Sequence, residues 1–395
     1  MFQVQGQYDP AFKPVRDQFQ GFLDSGRELG ASLFVHVDGE TVLDVWGGYA
    51  DVARTKPWNR DTLTVVWSSS KVATNLSALI LVDRGQLDLD KPVATYWPEF
   101  GVNGKENVLV RHFLSHSSGI NSFEDVDELE EIFDTPTATA KLALQRPHWT
   151  PGTATAYHAI TQGFLVGELV RRVSGKSLKQ FIADEVAGPV HADFRLGVQK
   201  EEDIARTAEV TPPPPFDKAD FIPERMPLAL ETFTMPTMTA QASMTKAFRD
   251  TELGACNGFT NASGLGRIGS IITLGGTVTV DGKPRQIISS GTIDRMLEEQ
   301  FHNVDMAMGM DVRFGLGIGL PLPATLPWIP EGKIAFWGGW GGSTIIMDLG
   351  RRATITYTPN ALGKGVMGSD TTIAYTYSIY AALDRYFKEK DSSRL

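Results

Sequence analysis

The sequence predicts an α+β fold in which an antiparallel sheet, flanked by terminal helices, is joined to a mostly helical lobe. Two observations support this prediction. Short β-rich runs are concentrated towards the ends of the chain, at 32–48 and 314–358, whereas the region between about 67 and 250 has helical periodicity and no clear alternating strand. Strands and helices that are segregated along the chain are typical of α+β proteins.

The N-terminal region predicts a helix followed by a hairpin. Apolar residues recur at helical spacing over 10–28, which predicts an amphipathic helix. The stretch 32–48 then contains two apolar runs around Asp38-Gly39. Because type I′ turns need positive φ at both central residues, Asp-Gly between two such runs predicts a tight β-hairpin.

The central region predicts a series of helices. In the stretch 68–85, serines stand at the start, leucines at 76 and 79 lie on an apolar face, and Gly85 suits the C-terminal cap. We expect Ser69 and Ser70 to hold the start of this helix. Further helical patterns cover 110–116, 126–133, 137–145, 159–173 and 176–185.

The C-terminal region predicts mainly strands. A helix at 262–275 precedes four short β-rich segments, FGLGIGL, KIAFWGG, STIIMDLG and RRATITYT. A turn at 348–351 separates the last two segments, and 370–390 predicts a closing helix.

These elements predict two lobes. The simplest arrangement brings the first hairpin and the last strands into one sheet, so we predict a discontinuous sheet lobe from 1–66 and 254–395. The helical lobe would then comprise 67–253. Clefts between lobes are usual sites for small molecules, and we expect the functional site there.

Composition and charge exclude several classes of function. The chain has 395 residues and a net charge of −10, which argues against nucleic acid as a partner because phosphates require a basic face. One cysteine, Cys256, excludes an internal disulfide. We see no signal peptide and no run of 18 apolar residues, so we expect a cytoplasmic protein without a membrane span.

The segment Ser68-Ser69-Ser70-Lys71 has two interpretations. Serine at a helix start is usually a cap, and a second Ser-x-x-Lys at Ser243 shows how common the spacing is. The chemical interpretation is that Lys71, three residues after Ser68 on the same helix face, takes the proton of the serine hydroxyl. Such a lysine must have a pKa near neutrality, which burial or neighbouring positive charge would produce.

The order of three motifs resembles one family. Ser68-x-x-Lys71, then Tyr157, then the Gly-rich segment Trp337-Gly338-Gly339 resemble the serine β-lactamase and penicillin-binding-protein superfamily. The sequence is most similar to the family VIII carboxylesterases, which have a class C β-lactamase-like fold. The resemblance covers roughly residues 12–385.

This resemblance implies roles for individual residues. Ser68 would be the acylated nucleophile, and Lys71 and Tyr157 would share the proton transfers, in an order that the sequence leaves open. The backbone N–H groups of Ser68 and Trp340 would form the oxyanion hole. Substrate would contact Trp337, Gly338, Gly339 and His158, and neither a metal nor another cofactor is implied.

Two departures from the superfamily pattern bear on the substrate. Trp337 replaces the lysine of the usual Lys-Thr-Gly motif, and Ala159 replaces the asparagine of Tyr-x-Asn. Both changes remove polar groups that grip anionic β-lactams or peptides, whereas an aromatic wall suits uncharged groups. The sequence therefore favours hydrolysis of small to medium acyl esters through an acyl-enzyme.

Several alternatives stay open at this point. Within the same fold they are an acyltransferase, a β-lactamase or D-aminopeptidase-type hydrolase, and a catalytically inactive scaffold protein. A Ser-His-Asp hydrolase using His116, His148 or His158 is disfavoured because no Gly-x-Ser-x-Gly elbow occurs. The histidines show no metal-ligand spacing, and the sequence does not predict the natural ester or the oligomeric state.

Overall fold

A computed structural model describes residues 3–215 and 221–392. Its strands are β1 Gln5–Tyr8, β2 Gly30–Val37, β3 Glu40–Gly48, β4 Thr64–Val65, β5 Phe194–Leu196, β6 Gly258–Thr260, β7 Thr277–Val280, β8 Lys283–Gln286, β9 Phe301–Val304, β10 Asp311–Phe314, β11 Ile334–Gly338, β12 Thr344–Asp348 and β13 Ala353–Pro359. Its α-helices are α1 Lys13–Ser25, α2 Lys71–Asp83, α3 Val110–Leu114, α4 Thr135–Leu144, α5 Thr161–Ser174, α6 Leu178–Phe181, α7 Glu201–Ala205, α8 Ala229–Thr234, α9 Lys246–Asp250, α10 Ala262–Thr273, α11 Ser290–Met296 and α12 Asp370–Ser392. The predicted α+β fold is confirmed.

The main sheet joins the two ends of the chain, as predicted. Its six strands are antiparallel in the order β1-β3-β2-β13-β12-β11. Because side chains alternate across a sheet, one face packs against α10 through residues such as Ile345, while the other packs against α1 and α12 through residues such as Ile346. Gly266 and Gly269 let α10 approach the first face, since an added Cβ would collide with Phe34 or Ile345.

The hairpin prediction is confirmed in its turn geometry. Asp38 and Gly39 have φ of 47° and 93°, as a type I′ turn requires, and they connect β2 to β3. The closing helix and the turn between β12 and β13 also occur where they are predicted.

Other strands differ from the predictions. No strand was expected between 67 and 250, yet β5 lies there and pairs with β6, which also pairs with β4. Each of these strands has two or three residues, too few for an alternation to be visible. In the predicted strand FGLGIGL only Phe314 belongs to a strand, and Gly319 makes isolated bridges to Phe314 and Phe336.

The central helix α2 carries the candidate nucleophile segment into the protein interior. Apart from Val82 and Asp83 every residue of α2 is buried, including Lys71, and the helix packs against α5, α6 and α11. Residues 216–220 of the predicted helical lobe lie outside the described residues, and the boundaries between the two lobes stay a prediction. Within the described ranges, no helix is both long enough and apolar enough to cross a membrane.

Candidate active site

A tight turn presents Ser68 at the start of α2. Residues Trp67–Ser70 form one 3₁₀ turn, and Trp67 has a φ of 47°, an unusual value for a bulky residue. The Trp67 ring is held edge-to-face against Trp340, with 5.0 Å between ring centroids. In this turn Ser68 is half-buried, whereas Ser69 and Ser70 are fully buried.

The expectation that Ser69 and Ser70 cap the helix was wrong. The Ser70 hydroxyl donates to the Trp67 carbonyl and accepts the Gly258 N–H, and no side-chain cap stands at the start of α2. The Ser69 hydroxyl bonds that of Ser343, 3.0 Å away. These serines therefore connect the turn to distant segments. A buried hydroxyl is stable only when it is hydrogen-bonded, and here the partners come from segments that are distant in sequence.

Lys71 lies within reach of the Ser68 hydroxyl. Its Nζ is 3.3 Å from Ser68 Oγ, 2.7 Å from the Ala159 carbonyl oxygen and 3.1 Å from the Ala255 carbonyl oxygen. Burial lowers the pKa of Lys71 from 10.5 to about 7. The sequence left burial or neighbouring positive charge as possible causes, and burial is the cause that lowers this pKa.

Tyr157 faces the same lysine from the loop before α5. Lys71 Nζ lies 4.9 Å from the centre of its ring. Burial raises the pKa of the Tyr157 phenol well above its usual value, and the neighbouring Ser68 and Trp337 side chains offset this only in part. The phenol is therefore protonated throughout the range in which Lys71 titrates.

A buried carboxylate fixes the backbone of Tyr157. Asp305 Oδ1 accepts the N–H groups of Tyr157, Ala307 and Met308 at 2.9–3.0 Å, and Asp305 Oδ2 has no partner among the described residues. Burial raises the pKa of Asp305. Sequence reasoning missed this residue, because its only signal was an aspartate following a short β-rich run.

The Gly-rich segment brings a second backbone stretch against the Ser68 turn. Strand β11 ends at Gly338, and the N–H of Gly342 closes a turn onto the Gly339 carbonyl, 3.0 Å away, with Trp340 inside it. A Cβ at Gly339 would lie 2.2 Å from the Val66 carbonyl oxygen. Glycine is thus required here for close backbone approach.

Two backbone N–H groups at this junction are available to a ligand. Across the described residues, the N–H groups of Ser68 and Trp340 donate to no protein oxygen. Both residues are half-buried and lie on the two segments that meet at Val66. Their role as an oxyanion hole stays a prediction.

Aromatic rings form the wall beside Tyr157. Trp337 is buried and lies 6.1 Å from the Tyr157 ring, 5.9 Å from Phe314 and 5.6 Å from His116, on which it stacks. Burial holds the pKa of His116 well below its usual value and the pKa of Tyr157 well above, so both of these rings are neutral near pH 7, as the Trp337 and Phe314 rings always are. The wall is therefore uncharged.

The histidines do not complete a Ser-His-Asp set. His116 Nδ1 accepts the backbone N–H of His158, and no carboxylate of the described chain bonds either ring. The His158 ring is fully buried and both nitrogens bond protein groups, Ser118 Oγ and the Ala156 carbonyl, and its expected contact with substrate stays a prediction. Burial also lowers the pKa of His158 to about 3.

The second Ser-x-x-Lys copy lacks this environment. Ser243 donates its hydroxyl to the Ala240 carbonyl, and Lys246 is exposed and ion-paired with Asp250. The described residues also contain no cluster of His, Cys, Asp and Glu that would hold a metal ion.

The fold and this Ser–Lys–Tyr arrangement define a hydrolase of the serine β-lactamase and esterase superfamily. The family described as Beta-lactamase matches residues 15–375, and the chain belongs to it. The chain is 30% identical over 354 residues to "Esterase/beta-lactamase LipL" of Mycobacterium tuberculosis, covering 84% of this chain and 82% of the relative.

Two solved structures are similar over nearly the whole chain. A crystal structure of a family VIII carboxylesterase has a TM-score of 0.88 and 32% identity, covering 96% of this chain and 99% of that one. A penicillin-binding-protein homologue from Caulobacter crescentus has the same TM-score, 29% identity and the same coverage.

Proposed function

We propose that this protein is a serine carboxylesterase that hydrolyses uncharged carboxylic esters through an acyl-enzyme on Ser68. One observation carries the proposal: a buried lysine with a pKa of about 7 lies 3.3 Å from a serine hydroxyl. A serine is a weak nucleophile until a base takes its proton, and this lysine is half-neutral at pH 7.

The hydrogen-bond geometry of Lys71 suits a general base. A neutral amine has two N–H donors and one lone pair. The Ala159 and Ala255 carbonyls accept the two N–H groups, which leaves the lone pair for the Ser68 hydroxyl. Lys71 would thus take the proton as Ser68 attacks the ester carbonyl.

The remaining steps follow from the neighbouring groups. The N–H groups of Ser68 and Trp340 would stabilise the negative charge on the carbonyl oxygen. The proton then passes to the departing alkoxide, directly from Lys71 or through the neutral Tyr157 hydroxyl, and the alcohol leaves. In the second half of the reaction, water gives its proton to the same base and attacks the acyl-serine. The proton then passes to the Ser68 oxygen, which releases the acid and restores Ser68.

The wall beside Tyr157 supports an uncharged substrate. A carboxylate on the substrate would need a cation, and the Lys-Thr-Gly lysine position holds the buried Trp337. Apolar acyl or alcohol groups would instead contact Trp337 and Phe314, whose rings pack together.

β-Lactam hydrolysis is a second candidate, favoured by the name of the LipL relative, which includes both activities. Turnover of nitrocefin tests it. A kcat/KM for nitrocefin equal to or above that for short p-nitrophenyl esters would replace ester hydrolysis as the proposed function.

Substitution of Ser68 tests the proposal. Ser68→Ala should abolish turnover of p-nitrophenyl acetate and butyrate, and intact-mass spectrometry should detect the acyl adduct on the wild type alone. Ser243→Ala is the matched control because it removes the serine of the other Ser-x-x-Lys copy. Unchanged turnover in Ser68→Ala would refute the proposal.

A further inference from the structure

The two donors of the proposed oxyanion hole lie on segments far apart in sequence. Ser68 belongs to the turn before α2, and Trp340 belongs to the glycine turn after β11. Oxyanion stabilisation depends on the spacing of the two N–H groups, since a donor misplaced by about 1 Å loses much of its effect. Something must therefore fix these segments to each other.

One carbonyl oxygen lies at the junction. The Val66 carbonyl accepts the N–H of Ser69 at 3.1 Å, which closes the turn that carries Ser68. It also accepts the hydroxyl of Ser343 at 2.7 Å. Ser343 directly follows the glycine turn, and its carbonyl accepts the N–H of Gly339 at 2.8 Å.

A second hydrogen bond strengthens the same link. Because the single hydroxyl proton of Ser343 goes to Val66, the Ser69 hydroxyl must be the donor in its 3.0 Å bond to Ser343 Oγ. Ser343 is thereby bonded to the residues on both sides of the Trp67–Ser68 pair. Both serines are buried, so water does not compete for these bonds.

The Ser343 hydroxyl is not needed to satisfy the Val66 carbonyl, which already has the Ser69 N–H. Its distinctive effect is to hydrogen-bond the turn that carries Ser68 to the segment that follows the glycine turn. We propose that Ser343 is a positioning residue that sets the spacing between the Ser68 and Trp340 N–H groups. This inference rests on the proposed esterase function.

Two substitutions test this role. Ser343→Ala removes the hydroxyl, and Ser343→Cys keeps nearly the same volume but forms weaker hydrogen bonds. We expect kcat for p-nitrophenyl acetate to fall ~10–10²-fold in Ser343→Ala and by a smaller factor in Ser343→Cys. We expect KM to change less than threefold, because displacement of an oxyanion donor weakens binding of the transition state more than binding of the substrate.

Inhibition by phenylboronic acid provides an independent measurement. This compound forms a tetrahedral adduct with an activated serine, so its Ki should rise with the loss of kcat. The matched control is Ser32→Ala, which removes a buried hydroxyl that bonds Thr358 of the main sheet and accepts the Ala262 N–H at the start of α10. This control should lower thermal stability and leave kcat and Ki unchanged.

The outcomes separate this inference from the proposed function. If both Ser343 variants keep kcat within twofold of wild type, or if Ser32→Ala lowers kcat equally, the positioning role is refuted. If Ser343→Ala does not fold, the same criterion applies to Ser343→Cys. If wild type and Ser68→Ala turn over ester equally, the proposed function fails instead.

Discussion

Burial of Lys71 should determine the pH range in which this hydrolase is active. The pKa falls from 10.5 to about 7, which corresponds to roughly 5 kcal/mol against the charged form. At pH 7 about half of Lys71 is then neutral, whereas with its ordinary pKa only about 3 in 10⁴ molecules would carry a neutral amine. Burial thus increases the available base by about three orders of magnitude.

The assay is kcat/KM for p-nitrophenyl acetate between pH 5 and 9, with the rate of Ser68→Ala subtracted as background. We expect a plateau above about pH 8, half of that value at about pH 7 and, at lower pH, a tenfold fall per pH unit to about 1% of the plateau at pH 5. Lys71→Met should lower the plateau ~10²–10⁴-fold.

The control for this profile is Glu28, which is also buried and whose pKa is also raised to about 7. Glu28→Gln should leave the position of the acid limb unchanged. A limb that disappears in Glu28→Gln, or a profile with no limb between pH 5 and 9, would contradict the assignment of Lys71 as the base.

Two further predictions concern buried groups. Tyr157→Phe should lower kcat ~10²–10⁴-fold because it removes the protonated phenol, and retention of more than a tenth of the activity would contradict a proton-transfer role. Since burial raises the pKa of Glu28 from 4.5 to about 7, the stability contributed by this group should be fully present below pH 4.5 and should fall by ~3 kcal/mol between pH 4.5 and 7. Because Lys71 and His158 also titrate, the measurement is the difference in free energy of unfolding between wild type and Glu28→Gln, from urea unfolding at pH 4 and pH 8. This difference should shift by ~3 kcal/mol against wild type at the higher pH, and equal pH dependence in both proteins would refute the prediction.

Local chemistry explains which parts of the fold were predictable. Asp38-Gly39 specifies its own turn, because positive φ is a property of those two residues and needs no tertiary contact. Strands β12 and β13 are buried throughout and bounded by turn residues, so their composition alone indicates them. By contrast, β4 and β5 exist only through their pairing with β6, which no local pattern records.

The candidate site divides in the same way. Ser68 and Lys71 are three residues apart and therefore share a helix face, which can be read directly from the sequence. The partners of Ser69 and Tyr157 could not be read from it, because Ser343 and Asp305 lie 274 and 148 positions away. The partners of His158, Ser118 and the Ala156 carbonyl, were likewise not readable, because a histidine next to a motif residue gives no indication of what its ring nitrogens bond.

Comparison of three lysines shows why neither spacing nor burial alone identifies the base. Lys246 has the Ser-x-x-Lys spacing, but it is exposed and paired with Asp250. Lys105 is fully buried, and burial lowers its pKa to about 8, but its amine bonds the carbonyls of Val102 and Gln145. A depressed lysine pKa is thus a by-product of burial in this fold. At Lys71 it coincides with a serine hydroxyl 3.3 Å from the amine and with a tyrosine ring whose centre lies 4.9 Å from it. That coincidence, rather than any single property, makes Lys71 the candidate general base.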